Sequence, residues 1–417
     1  MNKARKLARL TRKSRVEWRL SIGWMVIALS MATLLSTAAE VVRIPIKKKR
    51  AGPLFQIHYG QKWGYMDRSG KTVIPPQFDD EGDFFTDRAR VRKGGKWGYI
   101  DGGGHLKVPF QFDAAGDFSE GLAPVQVGRR WGYIHLSGVM AVEPQFQAAA
   151  EFSDGVARIE VWDTISCDLM DYRKKGHEVF TKDNAPISIF RLRGFQLQRD
   201  GCFAENSRYG YIAKGGKVVI APTFRVASDF SEGLAVVRGT GSQESKYGYI
   251  DKAGRITIEA RFDQALDFSE GLAAVAIGTG TDNSQSWGFI NRMGVVEIQP
   301  TFRSAGSFSE GLAHVSLRDR GVGYVERNGK FAIQPRYSEA TPFLNGLALV
   351  WSVDEEVGFY INKAGTKALT LALSPQWSFS DGLTIAGTQG ERKYVDRRGH
   401  IVAPYEVDPG YDDSVRS

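Results

Sequence analysis

Lys96-Trp97-Gly98-Tyr99-Ile100-Asp101 is the stretch whose reading decides the fold, because the same hexamer returns along most of the chain. It recurs as Lys62–Asp67, as Arg130-Trp131-Gly132-Tyr133-Ile134, as Arg208–Ile212, as Lys246–Asp251 and as Trp287–Asn291. Worn copies follow at Val322–Glu326, Val357–Phe359 and Lys393–Asp396. From the Trp position to a later Phe the distance is 21 residues in seven copies, as in Trp63 to Phe84 or Trp287 to Phe308. A fixed internal period of this kind marks a modular array.

Each copy reads as strands and turns. Trp-Gly-Tyr-Ile alternates large aromatics with Gly and an aliphatic residue, the period of a strand. Asp67-Arg68-Ser69-Gly70 and its echoes, such as Asp251–Gly254 and Asp396–Gly399, place Asp or Asn first and Gly last in a four-residue turn. A β-branched run follows, for example Lys71-Thr72-Val73-Ile74, so the pair predicts a hairpin. The returning strand is expected to end near Pro-x-Phe, as at Pro144–Phe146, because proline cannot extend the ladder. Asp-Phe-Ser-Glu-Gly-Leu-Ala comes next, whole at Asp117–Ala123, Asp229–Ala235 and Asp267–Ala273. Its Ser-Glu-Gly reads as a turn, and Leu-Ala opens a third strand.

Length varies in one place only, between that third strand and the next Trp-Gly. The gap is 13 residues in the first copies, 57 at the longest and 14 to 19 later. The longest insertion, Trp162–Asn206, holds both cysteines, Cys167 and Cys202. Outside the cytoplasm a disulfide is the natural reading of that pair; closing such a loop stabilises by roughly 3–4 kcal/mol. Loops varied on one edge of an array are the usual binding surface. Trp162, Tyr172, His177, Phe190 and Phe195 are therefore the candidate partner contacts.

The K-W-G-Y-I-D, P-x-F and F-S-E-G-L-A elements resemble the WG (KWG) repeat family of bacterial proteins, over about residues 59–405. The resemblance implies a β-rich array from a bacterium and no catalytic residue to carry over. Trp63, Gly64, Trp97, Gly98, Trp131, Gly132, Trp287 and Gly288 are then structural positions: Trp and Tyr as core, Gly as the site of close approach.

The pI of 9.3 comes from one end. Residues 1–50 carry 13 Lys and Arg against Glu17 and Glu40, whereas the rest of the chain has a net charge of −3. A nearly neutral repeat body argues against a nucleic-acid partner. Residues 1–19 form a basic flank and residues 20–39 an uncharged apolar run long enough to span a bilayer. That run reads as a signal anchor or, given Thr37-Ala38-Ala39, as a cleaved signal peptide; either sends the body outward. Residues 40–58 are a basic linker, 59–161 hold repeats one to three, 162–206 the insertion, 207–405 repeats four to nine and 406–417 a tail.

No pattern of catalytic, cofactor or metal chemistry emerges. Gly64 to Gly70-Lys71-Thr72 has the wrong spacing and context for a phosphate loop. The serine of Ser-Glu-Gly recurs as a turn former. Asp117, Glu151, Asp229 and Asp267 read as turn caps, since Ser307 and Pro342 take the same place elsewhere. The expected fold is all-β, an open solenoid-like array of three-stranded repeats of about 34–40 residues, preceded by one N-terminal hydrophobic helix. A closed β-propeller is the alternative. The expected function is a non-catalytic scaffold that binds a protein in the bacterial cell envelope, periplasmic or on the cell surface. The alternative is a carbohydrate or peptidoglycan-binding module.

Overall fold

The second repeat shows how the residues build a unit. In the computed structural model, strands β1 (Phe55–Tyr59), β2 (Lys62–Met66) and β3 (Thr72–Phe78) form the first sheet. The chain then runs into β4 (Asp80–Glu81), β5 (Ala89–Lys93), β6 (Lys96–Ile100) and β7 (Leu106–Phe112). These four lie in the order β4-β5-β6-β7, all antiparallel. The two-residue β4 pairs with β5, so a unit has four strands where the sequence suggested three. So short an element carries no periodicity and gives no signal of its own. The structure describes residues 53–405 except 86, 165–195, 198–202, 240–244, 279–284, 319, 353–357, 372–377 and 388–391. The 20–39 run, the basic linker up to residue 52 and the 406–417 tail therefore lie outside the described residues; among the described residues there is no helix.

The pattern repeats in small sheets of three to seven strands. The seven-stranded one serves two units, because the strand Phe331–Ala340 runs unbroken from one into the next. The tyrosine of each hexamer is the centre of the core: Tyr65, Tyr99 and Tyr133 are wholly buried. Each meets the ring of the following Phe-Ser-Glu-Gly phenylalanine at 4.8–5.0 Å between centroids, Tyr65 with Phe84, Tyr99 with Phe118 and Tyr133 with Phe152. Their hydroxyls donate to backbone carbonyls on the way into the next unit, at Gly82, Gly116 and Ala150. A buried phenol without an acceptor would be costly, and these bonds remove that cost.

Two positions differ from their sequence reading. The tryptophan is core only at Trp287, which is 1% exposed; Trp63, Trp97 and Trp131 are half-buried at the strand end. The returning strand does end at Pro-x-Phe, β3 at Phe78, but proline does not stop its pairing. Tyr65 pairs with Ile74 and Trp63 with Phe78, so β3 carries two extra residues in a bulge that contains Pro75 and Pro76 and then resumes pairing. The bulge absorbs the missing N–H groups. It also fixes the hexamer glycine: a Cβ on Gly64 would stand 2.4 Å from the Ile74 carbonyl oxygen, and one on Gly132 2.3 Å from that of Val142.

The first and last units touch. The Tyr394 hydroxyl donates to the Gln56 carbonyl at 2.7 Å, and the His58 N–H donates to the Tyr405 carbonyl at 3.2 Å. Phe55, Ile57 and Met66 share one buried cluster with Leu383, Tyr394 and Tyr405. The join copies every other junction. Gly70 abuts Val402 and Ala403 just as Gly104 abuts Ile74 and Gly138 abuts Val108. A side chain at Gly382 would run into the Arg68 guanidinium, as one at Gly233 would meet Arg292. These contacts join the two ends of the β-repeat array. The last worn copy thus packs against the first unit.

Candidate partner-binding face

Strand direction gives the array two ends. The Asp-x-x-Gly and Ser-Glu-Gly turns lie at one, and the hairpins of variable length lie at the other. At the turn end, Ser-Glu-Gly is a tight turn in which Glu120, Glu232, Glu270 and Glu310 all adopt positive φ, 53–55°, each followed by a positive-φ glycine. A left-handed non-glycine residue costs about 1–2 kcal/mol. The carboxylates offset that cost by gripping the next turn. Glu232 accepts the N–H groups of Glu270 and Gly271 at 2.8 and 2.9 Å, and Glu270 those of Glu310 and Gly311 at the same distances. Glu310 continues to Gly346, while Glu120 reaches Gly155 and Asp154 reaches Gly233. The serine hydroxyls donate to the phenylalanine carbonyl of the following unit, Ser119 to Phe152 and Ser269 to Phe308. These serines and glutamates interlock units. Sequence reasoning saw only turn formers; the signal available was a charged residue kept where glycine would be easier.

Asp117 and its counterparts reach across units. Asp117 lies 3.0 Å from Arg90 in a nearly inaccessible pair, and Asp229 lies 3.1 Å from Arg158. Glu151 accepts the Asp117 N–H, and Asp267 accepts the Ser228 hydroxyl. They are junction residues. His314 takes the register of Arg90 and Arg158 in a later unit, against Gly306, and burial pushes its imidazole down to about 4. Other histidines serve turns: His105 sits 3.1 Å from Asp101, whose carboxylate caps its own turn. Among the described residues, no three of His, Cys, Asp or Glu are placed to hold a metal ion.

At the hairpin end a different carboxylate clamps each loop. Asp113 accepts Lys96 Nζ at 2.6 Å and the Gly128 N–H at 2.7 Å; Asp79 does the same for Lys62 and Gly94. Lys96 holds Asp113 below the usual carboxylate range, and Lys62 holds Asp79 there. Half-buried Trp97 lies at this end beneath the Arg90 and Arg92 guanidiniums, 5.2 and 5.8 Å from its centroid.

The fourth unit departs from the others. Its hairpin strands Val156–Thr164 and Phe203–Ala213 pair from Val156–Ala213 out to Thr164–Ala204. The equivalent first-unit ladder runs only from Phe55–Met66 to Tyr59–Lys62. A further short strand, Gln196–Leu197, lies against Ala204 and Phe203. Trp162 is thus on the extended ribbon, opposite Ser207. Cys167, Tyr172, His177, Phe190, Phe195 and Cys202 lie outside the described residues.

Among the described residues no helix is long and apolar enough to cross a membrane. No curated protein matches the chain. Solved structures resemble it at low identity. The computationally designed Ika8 protein is 10% identical with a TM-score of 0.41, covering 82% of this chain and 99% of its own. BamB from Moraxella catarrhalis is 13% identical with a TM-score of 0.36, covering 73% and 90%. The WG containing repeat matches at residues 63–97, 97–130, 131–161, 209–238, 247–278, 287–320 and 323–350. With these matches spanning more than half of its length, the chain belongs to the WG containing repeat family.

Proposed function

We propose that the protein is a non-catalytic scaffold of the bacterial cell envelope. Residues 20–39 carry the repeats across the cytoplasmic membrane, as an anchor or a cleaved signal, and the ring of repeats closes as a propeller. Its hairpin end binds a protein partner through the 162–206 insertion. The observation that carries this reading is the extended ribbon Val156–Thr164 with Phe203–Ala213, which roots the insertion at the end where every loop of variable length emerges. The opposite end is committed to interlocking units through the glutamates and serines described above. The test is a crosslinking pull-down from the cell envelope, comparing the intact chain with one in which residues 165–202 are replaced by a two-residue turn. Loss of a specific envelope protein from the shortened chain is expected; an unchanged set of partners would remove the insertion from the binding surface.

A second reading, a carbohydrate or peptidoglycan-binding module, draws on the half-buried Trp63, Trp97 and Trp131 at the same end. Rings with one exposed edge suit sugar stacking, but Arg90 and Arg92 already lie over Trp97. Failure to sediment with purified peptidoglycan would discard it.

A further inference from the structure

We infer that the turn end of the ring rests on the membrane surface, so that the hairpins and the insertion face away from the lipid; the inference rests on the proposal that residues 20–39 engage the bilayer. Three observations converge on that end. Phe55, at the start of β1, pairs with Met66, the last residue of β2 before the Asp67–Gly70 turn. The chain therefore comes in at the turn end, and Leu54 stands within van der Waals reach of the next turn at Gly102. Fourteen residues, 40–53, separate Ala39 from Leu54. At about 3.3–3.6 Å each they reach at most roughly 50 Å. The tether from the apolar run thus leads directly to the turn end of the ring.

Exposed apolar side chains are gathered at the same end. Met293 is 79% exposed, Val139 63%, Ile401 56% and Val295 54%, with Ile256 and Leu106 close behind. Each lies in an Asp-x-x-Gly-type turn, directly after its glycine, or at the first residue of the strand that follows. At the hairpin end only Val127 appears among the exposed large apolar residues described. The rim is not one uninterrupted patch: Lys217 and Lys330 hold in their units the place that Val139 and Val295 hold in theirs. Apolar side chains alternating with lysines on one rim suit the headgroup layer, where the aliphatic part goes in and the cation meets anionic lipid. The acids of this end do not oppose that contact evenly, since Glu232, Glu270 and Glu310 have turned their carboxylates to backbone N–H groups of neighbouring turns.

The arrangement is testable on the full chain, with Cys167 and Cys202 replaced by Ser. It is reconstituted in vesicles of phosphatidylethanolamine and phosphatidylglycerol that contain headgroup-nitroxide lipid. A fluorophore is attached to Met293→Cys or, separately, to Val127→Cys. Quenching at 293 several-fold stronger than at 127 is expected, with Ile401→Cys following 293. Equal quenching, or stronger quenching at 127, in a chain that floats with the vesicles and resists carbonate extraction overturns the orientation while leaving the anchor intact. A full chain that does not float overturns the anchor, and this inference with it.

Discussion

Replacing Gly132 by alanine should damage the ring far more than replacing Gly121, although both are glycines of the same unit. The Cβ of Gly132→Ala would lie 2.3 Å from the Val142 carbonyl oxygen and 2.8 Å from the Pro144 nitrogen, both backbone atoms of the bulged third strand. Relief requires that strand to move by about 1 Å, yet its Val142 and Phe146 are buried between units. Overpacking against backbone costs about 1–3 kcal/mol and more when the neighbour cannot yield, so about 3 kcal/mol is the working figure. Gly121 has positive φ, 90°, and nothing within 4 Å of its would-be Cβ. Its alanine variant bears only the left-handed backbone cost of about 1–2 kcal/mol. Urea unfolding followed by intrinsic fluorescence, with the slope held in common, reads the difference as a shift in midpoint. A Gly132→Ala midpoint equal to or above that of Gly121→Ala would refute the claim that the bulge dictates the glycine of the hexamer.

Other outcomes follow from the junctions. Arg90→Ala leaves Asp117 buried without its guanidinium and should cost about 3–5 kcal/mol, whereas Arg90→Met with Asp117→Leu should recover most of it, read by the same unfolding curves. Glu270→Ala removes two charge-assisted bonds to Glu310 and Gly311 and should cost about 2–3 kcal/mol, with Glu270→Gln intermediate because one acceptor remains. His314 makes the protein acid-sensitive in a defined window. Its folded imidazole resists protonation down to about 4, while the unfolded one takes up a proton near 6.5. The unfolded state therefore binds more protons as pH falls through that window, and stability drops. In His314→Leu, which copies Leu349 of the following unit, the fall between pH 6.5 and 4 should shrink; an unchanged profile would clear His314 of that role.

What the sequence made legible was the unit, because its information is periodic. Trp-Gly-Tyr-Ile, the Asp-x-x-Gly turn and Leu-Ala-x-Val each have an alternation or turn chemistry that acts within a few residues. The turn form of Ser-Glu-Gly was equally plain, and so was the confinement of length changes to one hairpin. What was missed concerns a bulge within the unit and contacts between units. The proline of Pro-x-Phe reads as stopping ladder pairing, and only the pairing of Trp63 with Phe78 beyond Pro75 and Pro76 reveals a bulge. The pairing of Asp117 across units was hidden because its partner, Arg90, belongs to the preceding unit. The contact between the first and last units was hidden for the same reason: Tyr394, the consensus tyrosine of its worn copy, and Gln56 are 338 residues apart. Of the candidate contacts, Trp162 is on the ribbon, and the others fall outside the described residues.

The central claim is that the repeats close on themselves, and the most direct measurement is the distance between the first and last units. Nitroxides at Ser69→Cys and Ile401→Cys, in a background with Cys167 and Cys202 replaced by Ser, report it by pulsed electron paramagnetic resonance. In the closed ring the Gly70 turn abuts Val402 and Ala403, so a narrow distribution below roughly 20 Å is expected once label arms of several Å are added. In an open stack, face-to-face sheets about 10 Å apart would separate the end units by many tens of Å. A broad distribution at such distances would contradict the closed ring.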